Sequence, residues 1–415
     1  MMPLASCACL GALPSELICE ILARIDSVAS LYSVLTAWPR ANLVFSSSIG
    51  PVLLARTLEE SLPGQLVSLV SATARVMLQT EPVLSPEAVR DGYFRPPKGR
   101  HVGRAQPIPQ PSPPAADTPA ADAGLPFILG NNGQAARRLL GQVVRIARAA
   151  TACLEHYSTQ CRLITPQHLV RPRRNLYRHG DSRRPPWRET AAGRPYVPPE
   201  FHCCSWQEGQ RAMRGLWRLR LAEALAQSAA ERNVSLDLFF FADSEPWGEQ
   251  DELLTAAEYL GYSQNAPLNP IRPKDDIWCW PVAVVKASTA TASLPWETLL
   301  SPLHEVDTRS RGTLRLATAG WQHWVRLASH PASPVRGVPF WPFRHLGFAL
   351  WDREKLETMQ LVPLEVKATQ GGDRGVASQA EWFFTWRSLV PAGLRTEIEE
   401  RLDRDLEGCG QDVRD

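Results

Sequence analysis

Apolar side chains recur at helical spacing along most of this chain. After Leu13-Pro14 they stand at 17, 18, 21, 22 and 25, an i, i+3/i+4 pattern that predicts a short helix with one wide apolar face. Pro14 is tolerated at a helix start, and Ser15 is a candidate cap beside it. Asp26-Ser27 breaks the period. A second short helix then carries Leu31, Val34, Leu35 and Trp38, and Pro39 helps to stop it. Residues 51–80 read as helices joined at Pro63-Gly64, with Leu66, Leu69, Val70 and Met77 placed to pack on the first pair. From Gln134 to Tyr157, apolar residues at 139, 143, 146, 150, 154 and 157 predict a long helix; Arg137, Arg138, Arg145 and Arg148 fall on its other faces and read as solvated.

Further on, Ser205-Trp206-Gln207-Glu208 has the spacing of a capping box and opens a helix with Met213, Leu216, Trp217, Leu221 and Leu225. Gly215 in its middle costs about 1 kcal/mol relative to alanine. A short helix over 251–260 closes at Gly261. Another, over 311–328, is expected to bury Leu316, Trp321, Trp324 and Val325. Asp352 is placed to cap a helix with Leu356 and Met359, and the last helices hold Trp382, Phe383, Trp386 and Leu389, then 394–406. The expected fold is mainly α: an N-terminal helical hairpin (10–48), a helical continuation packed on it (49–92), a Pro-rich linker (93–124) and a larger irregular all-helical domain (125–415).

Two stretches lack periodicity. Residues 93–124 are rich in Pro and Ala, a composition that favours extended chain over a packed core. Residues 170–200 place Arg171, Arg173, Arg174, Arg178, Arg183, Arg184, Arg188 and Arg194 among prolines, with Tyr177 and Trp187 interleaved. That basic loop reads as solvated chain first, then as an import signal, then as a nucleic-acid contact through base stacking.

The ordered set Leu13-Pro14, Glu16, Ile21-Leu22, Ile25, Leu31 and Leu35 resembles an F-box, the helical module that binds a Skp-type adaptor in cullin-based ubiquitin ligases. Pro39 and the continuation from Phe45 to Leu62 are similar to F-box-like proteins of filamentous fungi. Arg211 to Leu219 and the segment Gly347-Phe348 to Trp351-Asp352 resemble the same family. The resemblance implies a substrate-receptor subunit of an SCF-type ligase. Leu13, Pro14, Leu17, Ile18, Ile21, Leu22, Leu31 and Leu35 would form the adaptor face or the core behind it. The adaptor would link the chain to a cullin, and the remaining helices would hold a protein substrate. A non-catalytic scaffold with a relic F-box, or a nucleic-acid-binding protein using the Arg-rich loop, are the alternatives. The tetrapeptide Leu-Pro-x-Glu alone says little, since it recurs at Leu294-Pro295-Trp296-Glu297.

Composition narrows the picture modestly. The 415 residues are 44% hydrophobic with a net charge of +2, a globular balance that makes the whole chain no electrostatic magnet for nucleic acid. The nine cysteines are scattered without a Cys-x-x-Cys pair, which fits reduced thiols in cytoplasm or nucleus and supports no zinc ribbon. His202-Cys203-Cys204 is the densest His/Cys cluster and reads as packing. No apolar run reaches the ~20 residues needed to span a bilayer, and the start lacks the pattern of a signal peptide. Neither a Gly-x-Ser-x-Gly elbow nor a phosphate loop occurs. The expectation is therefore a non-enzyme without metal or cofactor.

Overall fold

The computed structural model describes residues 13–78, 86–90, 124–170, 185–188, 191–199, 204–230, 236, 248–261, 295–304, 318–362 and 374–409. The Pro-rich stretch up to 123 and Arg171 to Arg184 lie outside the described residues, as do His202 and Cys203.

The expected N-terminal hairpin is a three-helix unit: α1 (Ser15–Ala23), α2 (Val28–Ala37) and α3 (Pro39–Phe45). Pro14, not Ser15, holds the cap position of α1, without a side-chain cap. The Ser27 hydroxyl caps α2 by accepting the Ser30 N–H. Pro39 both follows α2 and opens α3, since its missing N–H costs nothing at a first helical position. α3 packs against both α1 and α2. Next come α4 (Gly50–Ser61), α5 (Gly64–Met77), α6 (Pro86–Val89) and α7 (Leu125–Leu129). α5 does not use its apolar face on the N-terminal unit as expected. That face lies mainly on α7 and on the later helix that opens at the capping box.

α8 (Gly133–Leu163) extends past Tyr157, and α9 (Trp206–Ala230) is the centre of the bundle, packed by α5, α8, α10 (Gly248–Tyr259) and α11 (Trp296–Leu299). Residues 208 to 226 of α9 are buried without interruption. The helix is enclosed on every side, so it shows no clean amphipathic period. Its capping box forms: the Glu208 N–H donates to Ser205 Oγ at 3.1 Å, and the Ser205 N–H to Glu208 Oε2 at 3.0 Å. α10 closes at Gly261, whose φ of +78° suits glycine.

The C-terminal part comprises α12 (Ala319–Ser329), α13 (Trp341–Arg344), α14 (Arg353–Thr358), α15 (Arg374–Leu389) and α16 (Ala392–Cys409). α12 opens at Ala319, capped by Thr318, and Leu316 lies outside the described residues. Trp321 is buried, whereas Trp324 and Val325 are only half-buried. Phe343, Phe348 and Trp386 form an aromatic cluster with centroids 4.8–6.0 Å apart, and the Trp386 indole donates to the Leu361 carbonyl.

The mainly α expectation holds, with one short ribbon beside the helices: β1 (Gln167–Leu169) pairs antiparallel with β2 (Gly193–Pro195), and β2 falls inside the stretch read as a basic loop. The outward N–H groups of Gln167 and Leu169 donate to Ser388 Oγ and Glu381 Oε1 of α15, both at 3.0 Å. Helix side chains thus take the place of a third strand. On the far edge Pro195 offers no outward N–H, which discourages further pairing.

Candidate functional site

The eight residues singled out from the sequence divide by depth. Ile18, Leu22, Leu31 and Leu35 are internal, at most 2% exposed, and belong to the core. Leu13 is half-buried against that core. Pro14 is exposed, and Leu17 and Ile21, one turn apart on α1, are 51% and 40% exposed. Four residues therefore hold α1 in place, and three present an apolar strip to solvent. Leu43 on α3 and Val52 on α4 are also exposed, at 72% and 56%.

The unit carrying this strip is fastened to the bundle by polar contacts at its base. Ser61 Oγ accepts the Val28 N–H and donates to the Asp26 carbonyl. Arg56 donates to the Ala23 carbonyl. Ser27 Oγ donates to the Leu300 carbonyl at 3.1 Å. Arg137 and Arg148 of α8, read from the sequence as solvated, flank Tyr32 of α2: their guanidinium carbons lie 5.2 and 5.9 Å from its ring centroid. Arg148 also covers Trp296 at 4.7 Å, and Arg137 Nε donates to Asn42 Oδ1 at 2.8 Å. Cation–π contacts hold both side chains over these rings, Arg137 half-buried and Arg148 still exposed to solvent. Trp296 belongs to the second Leu-Pro-x-Glu. Pro295 there precedes a short helix with no side-chain cap, as Pro14 does. The shared tetrapeptide thus encodes a helix start.

A second cluster is buried under α9. Glu208 Oε1 accepts the Asp352 N–H at 2.8 Å, and Oε2 accepts from Lys355 Nζ at 2.9 Å. Lys355 Nζ also lies 3.3 Å from Cys204 Sγ and 3.8 Å from the Trp351 ring centroid. Asp352 precedes α14 in cap conformation, but its side chain makes no cap bond; it is taken by Ser205 and by Arg211. Burial works against the Lys355 charge, yet Glu208 and Cys204 together, through charge and hydrogen bonds, outweigh it and raise the pKa. Burial likewise pushes the Cys204 thiol up, despite Lys355, and takes Cys161 to about 12. Thiols of this kind are poor nucleophiles.

Nearby, Arg214 makes a bidentate pair with Glu252 at 2.7 and 2.6 Å, and Arg344 binds Glu258 and Asp251. Desolvation raises Asp251 to about 6. In each cluster the buried cations are matched to carboxylates, as buried charges must be to offset their desolvation. The sequence signalled the capping box, and Asp352 only as a cap for its own helix; that Asp352, Lys355 and Glu252 reach α9 from distant segments was not legible.

Of the two aromatic side chains interleaved in the basic loop, Tyr177 lies outside the described residues and Trp187 is taken by an internal contact. Trp187 is buried, its indole donating to Asp403 Oδ1 at 2.9 Å, and Arg188 pairs with the same carboxylate. Arg194 lies exposed on β2. His168 of β1 stacks on Tyr196 at 4.0 Å between Gln360 and Glu381, which clamps the ribbon to its neighbours. Among the described residues no group of three or more His, Cys, Asp and Glu side chains is placed to hold a metal ion, and no helix is long and apolar enough to cross a membrane. No family model matches the chain, and neither a curated protein nor a solved structure is similar to it.

Proposed function

We propose that this protein is a substrate-receptor subunit of an SCF-type ubiquitin ligase, docking a Skp-type adaptor through its N-terminal three-helix unit. The observation that carries the reading is the pair Leu17 and Ile21, apolar, one turn apart and turned away from the core on a helix whose other face is packed. Exposed apolar side chains grouped on one helix face favour a protein partner. Pro14 continues the strip at the helix start. The polar fastening of the unit to α4, α8 and α11 would let a docked adaptor fix the position of the whole bundle, which would hold the substrate and through the adaptor reach a cullin.

The test is co-expression of the full chain with a fungal Skp-type adaptor, followed by size exclusion. A stoichiometric complex, lost in the double variant Leu17→Glu/Ile21→Glu with the helical signal intact, supports the proposal. A folded monomer that ignores the adaptor overturns it. That outcome favours a scaffold with a relic F-box, a reading supported by the stacking of Tyr32 between Arg137 and Arg148, which ties the unit inward.

A further inference from the structure

A cleft of about 420 Å³ opens where β1, the end of α15 and the start of α16 meet. Its lining includes the polar Gln167 and Ser388, the cationic Arg387 and Arg395, and the apolar Phe384 and Leu389; among the described residues no carboxylate lines it. The volume is within the range of small-ligand sites.

The two arginines differ. Arg387 Nη2 donates to Glu399 at 2.5 Å and to the Trp187 carbonyl at 2.9 Å, so a carboxylate already compensates its charge. Arg395 forms no ion pair with a described residue. It is half-buried in the first turn of α16, the end of a helix that disfavours a cation. Ser388 Oγ accepts the Gln167 N–H and donates to the Thr385 carbonyl, while the Gln167 carboxamide makes no hydrogen bond to a described residue. The cleft thus offers one positive charge with no ion-pair partner among the described residues, and an amide donor, beside apolar walls.

We propose that this cleft binds a monocarboxylate with an apolar body, Arg395 pairing with the carboxylate and Phe384 and Leu389 covering the body. One negative charge balances Arg395, whereas a phosphate dianion leaves a surplus. A free carboxylic acid and the C-terminus of a polypeptide share this chemistry, and the site stands whether or not the adaptor reading holds.

The experiment is calorimetric titration of the full chain with N-acetyl-leucine and with its uncharged amide. The acid is expected to bind and the amide not. Arg395→Ala is expected to weaken the acid by about tenfold or more at an unchanged melting temperature, with Arg395→Lys intermediate. A peptide ending in a free leucine then separates the sources. Tighter binding than N-acetyl-leucine indicates a chain end, and equal binding a free acid. Equal binding of acid and amide, no binding of the acid, or unaltered binding in Arg395→Ala overturns the proposal; the acid–amide comparison decides even if the variants fail to fold.

Discussion

Gly215 of α9 lies so close to Glu252 of α10 that a β-carbon on the glycine would stand 2.5 Å from the Glu252 carbonyl oxygen. The contact is with backbone inside a helix, which cannot swing aside as a side-chain tip can. It explains why a poor helix former occupies the middle of the central helix. Gly215→Ala gains about 1 kcal/mol of helix propensity but must push the two helices apart, a cost of about 1–3 kcal/mol or more. A lower melting temperature for Gly215→Ala is the expected result; a higher one would mean the helices can separate freely.

The α1 strip and the α1 core should respond differently to substitution. Leu17→Glu touches an exposed position and is expected to change stability by no more than about 0.5 kcal/mol. Leu22→Ala removes a side chain that is 1% exposed and should cost about 2–5 kcal/mol. Urea unfolding of the two variants measures the contrast, and a large loss in Leu17→Glu would show that the strip is covered within the chain.

Glu208 and Lys355 are each less than 10% exposed, so removing one leaves the other as an uncompensated buried charge. Lys355→Met or Glu208→Gln alone should cost about 3–5 kcal/mol. The double variant should lose much less than the sum, because glutamine keeps the capping box and no charge is stranded. Additive losses in a double-mutant cycle would show the two side chains to be independent. The Lys355 pKa is raised, so its contribution is full below its unfolded value and lost only as pH rises through the folded one.

Asp251 and His323 should pull stability in opposite directions over the same acid range. Desolvation lifts Asp251 to about 6, so the folded protein holds a proton that the unfolded chain has released, and stability falls as pH rises from about 4 to 6. Desolvation, with Arg326 and Arg353 nearby, lowers His323 to about 4. There the unfolded chain binds the proton first, and stability falls as pH drops from about 6.5 to 4. Denaturation at several pH values tests the signs. Relative to the unsubstituted protein, His323→Gln should gain stability toward pH 4, and Asp251→Asn should gain it toward pH 6. Parallel pH profiles for all three proteins would sink the assignment.

Much of the helical layout was legible in local order. Apolar spacing located the helices around 15–23, 134–157 and 251–260, Ser205 and Glu208 signalled the start of α9, and Gly261 marked the end of α10, because these features depend on residues within a few turns of one another. Leu17, Ile18, Ile21 and Leu22 were also legible as one wide apolar face. Which half of that face is core is settled by α3 packing against one side of α1, a relation no local pattern encodes. The same holds for Arg137, half-buried over Tyr32, and for the ring contacts of the exposed Arg148 with Tyr32 and Trp296 far off in the chain. Trp187, read as a loop side chain, is held by Asp403 near the other end of the sequence. The chain by itself determined where most helices lie and which of their positions are apolar, with some of their ends. Only the tertiary structure decided which apolar and charged side chains meet, because burial and pairing come from segments brought together by packing, at separations where sequence distance carries no geometric information.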